Sequence, residues 1–152
     1  TKYYESLPFT LNKPKDFQKV LILEDEKGIY LGFINKQDKE TIRANRHERD
    51  DEMANADKAG LAIDFDGDGL AAYAFTVSAG GSIADGIYRN ENEVNYDWDA
   101  DWKSGVFVDK DYWYAEMFIP WSIAPMKAVN GEFREVKLSF CLYRQKSSTL
   151  LW

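Results

Sequence analysis

The chain has 152 residues, 45% of them hydrophobic and 15% aromatic, enough to bury a sizeable single core without staples. Its formal charge of −7 argues against a phosphate-tracking nucleic-acid binder and an anionic membrane surface as natural partners, while neutral ligands and divalent cations stay open. Cys141 is the lone cysteine, which excludes an intrachain disulfide and a cysteine zinc cluster and reads as a small core residue. No apolar run approaches the ~20 residues of a membrane span. The chain opens on Thr1 without a secretory leader and stops at Trp152 after a strand-like run. Residues 1–152 are therefore read as one domain excised from a longer chain.

Period-two patterns dominate along the chain. "QKVLILED" predicts a strand, "EKG" a turn and "IYLGFIN" its hairpin partner. Residues 36–58 then break the pattern with 13 charged residues and neither Gly nor Pro, a long connection with room for one helical turn. "AGLAIDF" and "LAAYAFTVS" flank the hairpin signal "DGDG", and "SIADGIYR" predicts a further strand. "WKSGVFVD" and "YWYAEMFIP" form a hairpin through "KD", "PWSIAP" a single turn, and "EVKLSFCLYR" the closing strand. About eight short strands with tight turns predict an all-β antiparallel sandwich of jelly-roll or immunoglobulin-like topology.

Three stretches could carry chemistry. "DFDGDG" sets Asp64, Asp66 and Asp68 at alternate positions, as in the opening of a calcium loop. An EF-hand would need Glu eleven residues beyond Asp64, where Phe75 stands, so what remains is an Asp/Gly hairpin turn or a turn that holds calcium. "NYDWDADW" offers Asn95, Asp97, Trp98, Asp99 and Trp102: on an extended chain the two indoles share a face about 13 Å apart, suited to stacking on adjacent sugar rings beside hydrogen-bonding carboxylates. The alternative is that Trp102 starts a strand and packs inward while the aspartates solvate a loop. Glu116, a carboxylate between aromatic neighbours, must reach water, a partner or a binding concavity. His47 sits among charges, and Arg43, Arg46 and Arg49 recur every third residue beside it, a wet surface run or one face of a helical turn. No Ser–His–Asp grouping, phosphate-binding glycine loop, HExxH or acid–base carboxylate pair is legible, so no catalytic residue is expected.

At "YDWDADWKSGVFVDKDYWYAEMFIPWS" the chain resembles the family-nine carbohydrate-binding modules and their relatives at the front of large bacterial envelope proteins. The matching residues are Trp98, Asp99, Ala100, Trp102, Ser104, Trp113, Ala115, Glu116, Ile119, Pro120 and Trp121, and the similarity covers residues 19–121. The resemblance implies a secreted or periplasmic β-sandwich that stacks aromatic rings on an oligo- or polysaccharide, often with calcium, as a non-catalytic tether for its parent polypeptide. It places Trp98 and Asp99 at the site edge and gives Glu116 and Trp121 structural roles. Two other readings stand beside it. One is a related haem-holding redox sandwich, with His47 paired to Met53, Met117 or Met126. The other is a ligand-free docking domain.

Overall fold

The computed structural model describes residues 5–7, 13, 17–51, 55–89, 93–128, 133–145 and 149–151 (backbone alone for 5–7, 89 and 149–151). The strands are β1 (Glu5–Leu7), β2 (Gln18–Glu24), β3 (Gly28–Lys36), β4 (Lys58–Asp64), β5 (Tyr73–Ser78) and β6 (Ile83–Arg89). They continue with β7 (Glu93–Asn95), β8 (Lys103–Val108), β9 (Tyr112–Pro120), β10 (Lys137–Arg144) and β11 (Thr149–Leu151). All pair antiparallel, in a seven-stranded sheet ordered β1-β11-β10-β4-β5-β6-β7 and a four-stranded sheet ordered β2-β3-β9-β8. This is the expected β-sandwich. The three strands beyond the eight predicted ones are β1, β7 and β11, each three residues long and too short to print a period of two.

The core lies where one face of each sheet meets the other. β3 contributes Ile29, Leu31 and Phe33, and β9 contributes Trp113, Ala115, Met117 and Ile119. Opposite them stand Leu61 and Ile63 of β4, Phe75 and Val77 of β5, and Phe140 and Leu142 of β10. Side chains alternate across a strand, so this inward set assigns Tyr30, Gly32, Ile34, Tyr112, Tyr114, Glu116 and Phe118 to the outer face of the four-stranded sheet. β2 and β8 are its edges.

The described residues of the 36–58 stretch lie at one end of the sandwich. A single 3-10 turn, Lys39–Thr41, starts where Asp38 accepts the Glu40 N–H at 3.0 Å. Further on, Ala56 and Asp57 are fully buried. At the other end the β4–β5 turn bends on Gly67 (φ +67°) and Gly69 (φ +78°), a backbone region that glycine occupies without steric cost. Asp64 closes that turn by accepting the Gly67 N–H at 2.8 Å and the Gly69 N–H at 2.7 Å. "PWSIAP" forms the expected single turn, Trp121–Ile123. Among the described residues there is no α-helix, and no helix is long and apolar enough to cross a membrane.

Candidate functional site

The outer face of the four-stranded sheet is apolar where a solvated face should be polar. Strand register arranges it in rows that cross all four strands. One row runs Leu23, Tyr30, Phe118, Lys103; the next runs Leu21, Gly32, Glu116, Gly105; the third runs Lys19, Ile34, Tyr114, Phe107. The first and third rows are ridges of rings. Tyr30 and Phe118 lie 4.7 Å apart between centroids at 32°, and Phe107 stacks on Tyr114 at 6.1 Å and 28°. Tyr112 extends the second ridge, 6.0 Å from Tyr114. Phe107 is 64% exposed and Leu23 67%.

The middle row is a trough because two of its members are glycine. A Cβ on Gly105 would meet nothing within 4 Å, and on Gly32 it would meet only the Leu21 side chain at an ordinary 3.6 Å. Neither has a positive φ, so the fold does not require glycine at either place. Gly28 differs: there a Cβ would fall 2.3 Å from the Ile119 carbonyl. Glycine inside a strand costs about 0.5–1 kcal/mol relative to alanine. The two glycines flank one carboxylate in the same row. The resulting cleft has a volume of ≈ 500 Å³ and is lined from all four strands, Leu21, Tyr30, Glu116 and Phe118 among its walls. That lies within the usual size of ligand clefts.

Glu116 is exposed on the trough floor, and its carboxylate makes no hydrogen bond or ion pair among the described residues. Tyr30 is held in its ridge by the β2–β3 turn, its hydroxyl donating to Asp25 Oδ2 at 3.2 Å. Accepting the Lys27 N–H keeps the Asp25 carboxyl below the usual range, and desolvation raises the Tyr30 hydroxyl above its own. Trp121 braces the same turn, its Nε1–H donating to the Asp25 carbonyl at 2.8 Å. Glu116 faces a concavity.

In the 95–102 stretch Trp98, Asp99 and Trp102 are tied to the rest of the fold rather than aligned as a platform. Trp102 is 6% exposed and packs edge-on against Phe75 at 5.5 Å, so its assignment as a sugar contact is corrected: no ring face is left for a ligand. Trp98 is half-buried against Tyr73 at 5.0 Å and Phe75 at 6.1 Å. The Asn95 side chain accepts the Asp97 N–H at 2.9 Å, and Asp99 Oδ1 pairs with Arg49 Nε at 2.9 Å. Asp97 is exposed.

The acidic turn is likewise a clasp. Asp64 is used by backbone N–H groups, Asp66 pairs with Arg134 at 2.5 Å, and Asp68 pairs with Lys127. Of the three candidate calcium ligands Asp64, Asp66 and Asp68, the last two are thus met by cationic side chains. The Lys127 hydrogen bond holds the Asp68 carboxyl below its ordinary range and raises the lysine. The Asp68–Lys127 pair is complete above the ordinary aspartate pKa and opens as pH falls through the depressed one. The protection of the Leu70 amide against exchange, taken relative to its intrinsic rate at each pH, is expected to fall in that acid window, because its N–H donates to Asp68 Oδ1 at 2.9 Å.

Among the described residues the haem reading finds no ligand pair. Met117 is sealed in the core at 2% exposure. His47 docks on the β5–β6 turn through Ser82, whereas Met126 precedes Lys127 at the β4–β5 turn, the opposite end of β5 and about 20 Å away. Met53 lies outside the described residues.

No family model and no curated protein matches the chain. Among solved structures, the fold is similar to that of a candidate carbohydrate-binding protein from Bacteroides uniformis, with a TM-score of 0.70 and 14% identity over 99% of this chain and 76% of that one. At that identity the likeness establishes the architecture.

Proposed function

We propose that this domain is a non-catalytic carbohydrate-binding module, tethering a larger secreted or envelope polypeptide to a glycan, and that the sugar lies in the trough across β2, β3, β9 and β8. The observation that carries the reading is the row Gly32–Glu116–Gly105 sunk between two ridges of aromatic rings. A pyranose presents C–H groups on its faces, which suit the ridge rings, and hydroxyls on its rim, which suit a carboxylate with free oxygens. The family-nine resemblance and the described function of the Bacteroides uniformis neighbour point the same way. Calcium has no part in this reading.

The test is affinity electrophoresis against neutral polysaccharides (xylan, mixed-linkage β-glucan, galactomannan, starch), comparing wild type with Gly105→Leu. The open space above Gly105 accepts the side chain, so the variant is expected to melt no lower than wild type while binding falls about tenfold or more, the equivalent of ~1.4 kcal/mol. Wild type that migrates unretarded in every polymer would sink the proposal and leave the apolar face as a docking surface for the parent chain.

A further inference from the structure

A densely bonded charged group lies outside the trough, and the proposed glycan binding does not use it. Arg49, within the 36–58 connection, reaches into three carboxylates. Its Nη2 donates to Asp85 Oδ1 at 2.6 Å and to the Ala100 carbonyl at 2.7 Å. Its Nε lies 2.9 Å from Asp99 and 3.4 Å from Asp50. Asp85 is fully buried, and its second oxygen accepts the Ala100 N–H at 2.7 Å. Asp50 stands at φ +59°, a rare conformation for a residue with a side chain, and its Oδ1 accepts the Asp85 N–H at 2.9 Å. Each of the three carboxylates offers an oxygen within 4.8 Å of the others, the separation that ligands of one cation show.

Three carboxylates at that spacing repel one another unless a positive charge sits among them. A calcium ion would supply it through oxygen ligands, the Ala100 carbonyl included. Here the guanidinium already occupies the focus and spends its donors on that oxygen set, so the residues do not fit a resident metal. We infer that Arg49 takes the place of a divalent cation, acting as an internal counter-ion that fastens the Trp98 loop to β6 and the charged connection without metal. A planar fork suits the task because it grips several oxygens at fixed angles, which a lysine could not.

The inference makes an unusual demand: deleting the arginine should create a metal dependence that wild type lacks. Melting curves and calorimetric calcium titrations of wild type and Arg49→Ala are to be run in chelator and in millimolar calcium. Wild type is expected to melt identically in both and to give no calcium heat. Arg49→Ala is expected to melt lower in chelator, to regain at least half of that loss in calcium, and to lose the rescue when Asp99→Asn is added. If Arg49→Ala does not fold in chelator, refolding on calcium addition supports the inference and its absence overturns it. Calcium stabilisation of wild type, or an Arg49→Ala protein indifferent to calcium, also overturns it. Glycan retention plays no part in these readouts, so the trough proposal stands or falls separately.

Discussion

Asp57→Ala is expected to destabilise the domain by about 3–5 kcal/mol. The Asp57 carboxylate is fully buried and is held by neutral donors: the Gln37 side-chain amide at 2.7 Å, the Arg43 N–H at 2.9 Å and the Gln145 N–H at 2.7 Å. Removing it orphans three donors, at about 1–3 kcal/mol for each one left buried, partly offset because no carboxylate remains to be desolvated. The donors come from the end of β3, from the charged connection and from the end of β10, so one side chain ties both sheets and the cap over them. For a chain of this length the loss corresponds to a melting temperature lower by roughly 6–20 °C. Chemical denaturation followed by tryptophan fluorescence measures it directly, and a shift below about 1 kcal/mol would contradict this account of the buried network.

That residue shows where reading the chain runs out. Residues 36–58 carry 13 charges, and composition reads them as a wet connection. Yet Asp57 and Ala56 are sealed beneath it, Gln37 is buried, and Arg49 turns inward to Asp85. Charge patterns report which side chains prefer water. They do not report which find partners on segments far along the chain, and Asp57 bonds across 88 positions to Gln145. The long strands were legible for the opposite reason, because alternation is local: β2, β3, β9 and β10 stand where period-two runs place them.

The site was legible in part. The oddity of Glu116 among aromatic residues was visible in "YWYAEMFIP", but β9 is apolar on both alternating sets, so the sequence alone does not say which set faces out. Register decides it, by setting Trp113 and Met117 against the second sheet. The usable signal was glycine: "YLGF" and "KSGVF" each place one inside a strand where no turn or positive φ calls for it. Trp98 and Trp102 drew attention by their chemistry, but both rings turn toward Phe75 because the latch of Arg49, Asp85 and Ala100 holds their loop against the seven-stranded sheet.

Replacing both Tyr30 and Phe118 by alanine is expected to abolish glycan retention while the domain stays folded. The two rings form the first ridge, packed on each other outside the core, so their loss opens no internal cavity. Each stacked ring contributes about 0.5–1.5 kcal/mol beyond the area it buries, and together with that area the pair should supply about 2–3 kcal/mol of binding, on the order of a hundredfold. Against the weak affinity that a few rings and hydrogen bonds give once immobilisation is subtracted, such a loss takes binding below detection. Trp98→Ala separates this face from the 95–102 loop: losing its contacts with Tyr73 and Phe75 should lower the melting temperature, yet leave affinity within about twofold of wild type. The opposite pattern, with Trp98→Ala silent in melting and blind to glycan while the double variant binds normally, would return the site to the loop and leave the trough without a ligand.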